Sequence, residues 1–151
     1  MKKTFMALAF AGMVSMASAE GYFGLYTLGA QYTVDNGNFA SRFGVGVPLA
    51  LGGALIVTGN AAIILPGGNL SNDGAWKSRY GFGTDLGFIS AGGAGALLVR
   101  PNILGVVEYN FQNGVSLFGE ANIGPAFVTG SGGGGLIGYA IPGFKLGVNF
   151  R

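Results

Sequence analysis

Histidine and cysteine are both absent from this sequence of 151 residues. Without histidine, the chain lacks the usual general base, the usual metal ligand and the usual partner of a nucleophilic serine. Without cysteine, it can form neither a disulfide bond nor a thiolate metal site. We therefore expect no cofactor and no metal, and the composition argues against an enzyme.

Charged residues are also scarce, at 9% of the chain. A soluble domain of this size usually covers its surface with about 25–35% charged residues. Outside the N-terminal region, the sequence has no uninterrupted apolar run of about 18 residues, which disfavours a helical membrane protein. The strands of a transmembrane β-barrel alternate apolar and polar residues, so they need neither feature. The composition thus favours a membrane β-barrel.

The N-terminal residues have the pattern of a secretory signal peptide. Two lysines form a basic start, residues 5–14 form an apolar run, and small residues follow it. We predict a signal peptide over residues 1–19, cleavage between Ala19 and Glu20, and a single domain over residues 20–151. Removing the two signal lysines from the 8 Lys and Arg leaves 6, which equals the 6 Asp and Glu. This balance gives no reason to expect a nucleic-acid partner.

Glycine and bulky apolar residues alternate along several segments, which is typical of β-strands. Over residues 79–88, the aromatic residues, Thr84 and Leu86 fall on one face, while glycines, Arg79 and Asp85 fall on the other. Glycine on one face indicates a concave surface with little room for side chains. We therefore predict that glycines and ions face the inside of a barrel and that phenylalanines and tyrosines face lipid.

Turn-forming residues divide the predicted domain into eight segments. We predict strands over Tyr22–Thr33, Phe39–Val47, Ala54–Leu65, Ser78–Ile89, Gly95–Arg100, Ile103–Phe111, Val115–Val128 and Leu136–Phe150. The fifth strand is taken to end before Pro101, which has no N–H to donate to a sheet. The expected fold is all-β, a single antiparallel up-and-down transmembrane barrel of about eight strands.

The hairpin around Gly114 has a predictable register. A three-residue loop over residues 112–114 pairs Phe111 with Val115 and Tyr109 with Leu117, and it keeps polar and apolar faces separate. We therefore predict a left-handed Gly114 in a bulged turn.

With both chain termini in the periplasm, odd strands run outward. The expected outer loops are then Asp35–Asn38, Pro66–Lys77, the Pro101 region and Thr129–Gly135. Trp76, the one tryptophan, lies in the longest of these loops, where it is interpreted as an interfacial anchor or as a ligand contact.

Six charged residues fall on the predicted inner face: Arg42, Arg79, Asp85, Glu108, Glu120 and Lys145. Three cations and three anions in a space of low dielectric must pair, because an unpaired buried charge is costly. Glu120 and Lys145 lie at similar heights on neighbouring predicted strands, so we expect them to meet. This charge network either fills the lumen as a structural plug or lines a selective path.

The signal-peptide pattern, the eight alternating segments and the aromatic C-terminal strand together resemble the family of small bacterial outer-membrane β-barrel proteins, over essentially the whole domain. Members of that family usually end in an aromatic residue that the barrel-assembly machinery reads. Phe150 matches this type, but Arg151 follows it. The resemblance implies location in the outer membrane of a diderm bacterium, with outer-membrane lipid and the barrel-assembly machinery as partners.

The leading hypothesis is a noncatalytic barrel with an envelope-structural or partner-binding role, the partner being another envelope or surface-layer protein. One alternative is a narrow channel for small or apolar solutes. Another is a soluble periplasmic binding barrel. These three hypotheses differ in which face of the sheet meets water and in whether the lumen is open.

Overall fold

The structure is a computed structural model that describes residues 20–46, 55–91, 94–130 and 133–151. The predicted signal peptide and the predicted strand ends Val47 and Ala54 lie outside these ranges. Eight antiparallel strands pair in sequence order and close into a barrel. They are β1 (Glu20–Tyr26), β2 (Gly29–Asp35), β3 (Ala40–Gly46), β4 (Leu55–Asn69), β5 (Trp76–Ala91), β6 (Ala94–Asn110), β7 (Val115–Gly130) and β8 (Gly133–Phe150). The predicted all-β, up-and-down barrel of eight strands is confirmed.

The first predicted strand was wrong, because residues 22–33 form a hairpin of two short strands. A two-residue turn at Thr27 and Leu28 separates β1 from β2, and Tyr26 pairs with Gly29 across it. Leu28 adopts a left-handed backbone with φ of 68°. Glycine or asparagine normally occupies such a position. The turn therefore carries none of the residues by which turns are recognised in a sequence.

The break predicted at Pro101 was also wrong, because β6 runs through it. Pro101 pairs with Thr84 of β5. On the β7 side the ladder stops after Val99 and resumes at Ile103 in the same register, which places Pro101 opposite Pro125. Neither proline has an N–H, so the ladder lacks hydrogen bonds here while the strands stay aligned. The prediction merged β1 and β2 into one strand and divided β6 into two. The two errors cancel, so the predicted number of strands was still eight.

The two errors change which loops share an end of the barrel. We call the end that contains Glu20 and Phe150 the terminal end and the opposite one the far end. The β2–β3 and β4–β5 loops lie at the terminal end, so the prediction that Asp35–Asn38 and Pro66–Lys77 lie opposite the termini was wrong. The β7–β8 connection does lie at the far end, as predicted.

The Gly114 hairpin agrees with its predicted register. Phe111 N–H donates to the Val115 carbonyl over 2.8 Å, and Tyr109 pairs with Leu117. Gly114 has φ of 80°. The bulged turn with a left-handed glycine is therefore confirmed.

The barrel wall differs in height around its circumference. β1, β2 and β3 have 7 residues each, whereas β4 to β8 have 15 to 18. β1 pairs with β8 only from Phe23 to Tyr26. In the described ranges, the wall is therefore low at the far end along β1 and β2, which meet at the turn of Thr27 and Leu28.

The two faces of the sheet separate as the alternation predicted. Phe82, Leu86 and Phe144 point outward, and the side chain of Phe144 is 78% exposed. Inward side chains are buried and include an apolar layer of Ala40, Ala62, Ile64, Leu104, Val106 and Phe118. No helix in the described ranges is long and apolar enough to cross a membrane.

Candidate functional site

In the described ranges, ion pairs inside the barrel join nine charged side chains in two groups. The central cluster consists of Arg42, Asp85, Arg100, Glu120 and Lys145. The terminal cluster, toward the terminal end, consists of Asp35, Arg79, Glu108 and Arg151. These residues come from six strands, β2, β3 and β5 to β8, and from the residue after β8, so closure of the barrel is what brings them together.

Glu120 is the most deeply buried member of the central cluster. Its side chain is fully buried, and Arg42 Nη2 lies 2.5 Å from one carboxylate oxygen. Lys145 Nζ lies 3.2 Å from the other oxygen, to which Asn122 Nδ2 also donates over 3.1 Å. Glu120 and Lys145 are register partners on β7 and β8. Two cations and an amide thus compensate one carboxylate.

Asp85 is the second carboxylate of the central cluster. Arg100 Nη2 and Nε donate to its Oδ2 over 2.6 and 3.2 Å, and Asn102 Nδ2 donates over 2.9 Å. Arg100 passes close to the backbone of Gly143, where a Cβ atom would lie 2.5 Å from Nη2. An inward glycine therefore provides the space that the guanidinium occupies.

The terminal cluster is centred on Glu108. Arg151 Nη2 lies 2.7 Å from its Oε1, and Arg79 Nε lies 3.7 Å from its Oε2. Ser116 Oγ–H and Asn149 Nδ2 also donate to Oε1. Arg79 in turn pairs with Asp35 over 2.8 Å. The carboxylates and guanidiniums balance, with two of each.

The structure places all six sequence-predicted lumen residues in these two clusters. Arg42, Asp85, Glu120 and Lys145 lie in the central cluster, and Arg79 and Glu108 lie in the terminal cluster.

Three further members were missed by sequence reasoning: Asp35, Arg100 and Arg151. Arg100 was not assigned to the lumen because the predicted strand ended at that residue, before Pro101. Asp35 was assigned to a turn. Arg151 had a detectable signal, since continuing the alternation of β8 places it on the same face as Lys145.

Trp76 begins β5 at the terminal end, away from both charge clusters. Its ring lies 4.9 Å from that of Tyr109, which in turn lies 4.9 Å from Phe111. Trp76 and Phe111 are exposed on the outer surface. The three rings form an outward aromatic group near one rim, which is the position of interfacial belts in membrane barrels.

A cavity of about 430 Å³ opens at the far end of the lumen. Asp85, Arg100 and Lys145 of the central cluster form its polar floor. Its walls are mostly apolar and include Leu98, Ala126 and Ile141, while the exposed residues Leu28 and Phe144 lie at its rim. Within the described ranges, no three His, Cys, Asp or Glu residues are grouped as metal ligands. The lumen thus combines an ion-paired middle and terminal half, with a pocket of about 240 Å³ beside Asp35 and Arg79, with a larger open pocket at the far end.

No protein-family model and no curated protein matches this chain. Among solved structures, the chain is similar to a major outer membrane protein from Thermus thermophilus. The two share 12% sequence identity, with a TM-score of 0.48 over 87% of this chain and 98% of the other.

Proposed function

We propose that this chain is an outer-membrane β-barrel with a noncatalytic envelope-structural or partner-binding role. The observation that carries the proposal is the distribution of polarity, with ions inside and large apolar side chains outside. The exposed ones occur on all eight strands and include Phe23, Tyr32, Phe43, Val57, Phe82, Ile103, Leu117 and Phe144. An apolar band around the circumference is what a bilayer requires of a barrel.

The soluble-barrel alternative needs the opposite arrangement. A water-soluble barrel buries its apolar face and exposes its polar one, since each Å² of apolar surface removed from water contributes about 25 cal/mol. Here Phe82 is 57% exposed, whereas Arg42 and Glu120 are buried. The polarity therefore favours lipid as the medium around the barrel.

The filled lumen favours a structural role over a channel. Arg42 and Glu120 occupy its middle with side chains at most 3% exposed. Toward the terminal end, Glu108 is enclosed by Arg79 and Arg151. Passage of an ion would require these pairs to separate, which is costly in a space of low dielectric.

The proposed partners follow from the surface. The apolar band contacts outer-membrane lipid, and the outward Phe150 near the terminal end is the feature offered to the barrel-assembly machinery. We place the terminal end in the periplasm, with the Trp76 group as an interfacial anchor. The far end then faces outward, where another envelope or surface-layer protein can bind. We propose no enzymatic activity and no nucleic-acid partner.

Membrane location is tested by fractionation of the cell envelope together with heat-modifiable migration on a gel. A closed membrane barrel is expected in the outer-membrane fraction, and the unboiled sample migrates differently from the boiled one. A matched variant, Phe82→Lys, puts a charge into the apolar band, where it costs about 2–4 kcal/mol at the bilayer midplane. Its control, Leu70→Lys in the exposed β4–β5 loop, is expected to assemble normally. Recovery of the wild type in the aqueous phase after detergent extraction would contradict the proposal.

Planar-bilayer recording separates the structural role from the channel alternative. The structural barrel is expected to give no stepwise current. Stepwise currents that change when Arg42 or Glu120 is neutralised would favour the channel.

A further inference from the structure

We propose that the far-end cavity binds a single-chain amphiphile with an anionic headgroup. The headgroup lies beside Lys145, and the acyl or alkyl chain lies against the apolar walls and leaves through the low side of the barrel formed by β1 and β2. The route of entry rests on the proposed membrane location, whereas the binding site rests on the cavity and the charges beside it.

The central cluster carries one positive charge in excess. It holds three cations, Arg42, Arg100 and Lys145, and two carboxylates, Asp85 and Glu120. The terminal cluster is balanced, so it offers no compensation. An excess charge in a space of low dielectric is costly, and an anion bound beside the cluster lowers that cost.

Of the two cations that line the cavity, Arg100 and Lys145, Lys145 has the greater unused donor capacity. Arg100 already donates to Asp85, to the Ile141 carbonyl and to Asn122. Lys145 Nζ lies 3.2 Å from Glu120 but 3.7 Å from Asp85, and the longer distance exceeds that of a hydrogen bond. An ammonium has three donors. Of the two carboxylates paired with Lys145 in the described ranges, only Glu120 lies within hydrogen-bond distance of Nζ, and the Tyr26 ring centroid is 5.6 Å away. A donor therefore remains for a headgroup oxygen in the cavity.

The cavity walls indicate that the ligand has an apolar chain. Leu98, Ala126 and Ile141 line the space above the charged floor, and Leu28 and Phe144 add apolar surface at its rim. The volume of about 430 Å³ lies in the range of about 300–1,000 Å³ that is usual for small-molecule sites. A small inorganic anion would satisfy Lys145 but leave these walls in contact with water.

The low wall gives such a chain a lateral exit. Thr27 N–H donates to the Leu146 carbonyl, and from Gly133 to Lys145 no described strand pairs with that edge of β8. A seven-residue strand reaches roughly 24 Å before tilt, and tilt of about 35–45° brings it below the apolar band of about 25 Å. On this side, the cavity therefore opens at a depth where a membrane barrel contacts acyl chains.

Native mass spectrometry of the full barrel, released from an uncharged detergent, tests the proposal by counting bound molecules. The probes are dodecyl phosphate and dodecanoate, with 1-dodecanol as the uncharged match and inorganic phosphate as the headgroup alone. We expect one molecule of an anionic amphiphile per barrel and at least about tenfold weaker binding of dodecanol, because a hydrogen bond to a charged group is lost. The two anionic probes distinguish a phosphate source from a carboxylate source.

Two variants, Lys145→Met and Leu98→Trp, locate the site, and two more serve as controls. Lys145→Met leaves two cations and two carboxylates in the cluster and is expected to weaken binding about tenfold or more. Lys145→Arg retains the charge and is expected to bind. Leu98→Trp fills the cavity without changing any ion pair and is expected to abolish binding of the chain. Lys77→Met removes a cation outside both clusters and serves as the second control.

Equal binding of dodecanol, equal binding of inorganic phosphate or unchanged binding by Lys145→Met would each overturn the inference. Heat-modifiable migration of each variant confirms that its barrel is closed. A barrel that stays in the membrane but binds no probe contradicts this inference alone. A barrel that fractionates as a soluble protein contradicts the proposed membrane location, and the binding measurement on it remains valid.

Discussion

Arg151 Nη2 lies 2.7 Å from Glu108 Oε1, and the Arg151 guanidinium also lies over the ring of Tyr22, 4.6 Å from its centroid. Phe150, the residue before it, points outward. The alternation of β8 thus sends an aromatic ring to the outside and a cation into the lumen at the same height. Arg151 therefore covers the terminal cluster.

Arg151→Met is expected to destabilise the folded barrel by about 1 kcal/mol. Removing one partner of a fully buried pair costs about 3–5 kcal/mol, but the Arg151 side chain is 28% exposed, and solvent screens it. Unfolding by urea in lipid vesicles measures the change. Lys77→Met, which removes a cation that forms no ion pair in the described ranges, is the matched control. Equal stability of the two variants would show that the contact with Glu108 contributes nothing.

Breaking the ion pair between Arg42 and Glu120 is expected to lower the free energy of unfolding by more than the loss of Arg151 does. Glu120→Gln keeps the shape of the side chain but leaves Arg42 buried opposite a neutral group, so we expect a loss of about 3 kcal/mol in the free energy of unfolding. Arg42→Met in the same chain removes the stranded charge. The double variant is therefore expected to lose less stability than the sum of the single variants. Additive losses would mean that Arg42 and Glu120 act independently.

The strand pattern was accessible from the sequence because burial alternates with a period of two. This alternation separates Phe82 from Arg79 and Asp85 wherever the segment begins, so errors in strand ends do not affect it. The Gly114 hairpin was accessible for a related reason, since only one loop length keeps the polar and apolar faces apart.

The parts that escaped sequence reasoning depend on backbone conformation. Leu28 makes a turn without a turn-forming residue, and Pro101 continues a strand because Pro125 lies opposite and neither needs a hydrogen bond across that ladder. Both features depend on neighbouring strands and not on local composition. The same is true of Arg100, whose inward position follows only once β6 is known to be continuous.

At the β1–β2 turn, a substitution is expected to raise the stability of the barrel instead of lowering it. A non-glycine residue in the left-handed region costs about 1–2 kcal/mol, and Leu28 has φ of 68°. Leu28→Gly is therefore expected to stabilise the barrel by about 1 kcal/mol, since glycine adopts this conformation at little cost. Leu25→Gly is the control, because Leu25 lies in regular strand and is similarly exposed; there glycine is expected to destabilise. A loss of stability in both variants would mean that the Leu28 side chain contributes more than its backbone strain costs.

The β4–β5 loop at residues 70–75 contains an acid-sensitive turn. Asp73 Oδ1 accepts hydrogen bonds from Ser71 Oγ–H and from Ala75 N–H, and Ser71 Oγ accepts one from Trp76 N–H. The Ser71 hydroxyl, and after it the Ala75 amide, lower the pKa of Asp73 below its ordinary value of 3.8. Both hydrogen bonds stabilise the ionised carboxylate, so protonation weakens the turn.

Because the folded loop lowers the pKa of Asp73, the contribution of its carboxylate is complete above pH 3.8, declines as the pH falls below that value and is lost below the lowered pKa. The one tryptophan of the chain reports this change, since its amide is bonded to Ser71. We expect the fluorescence of Trp76 to shift in this acid range while the strands stay folded. Asp73→Asn is expected to show the shifted fluorescence already at neutral pH and no further change on acidification. If wild type and Asp73→Asn gave the same acid titration, another group would control the loop, because the variant has no carboxylate at position 73 to protonate.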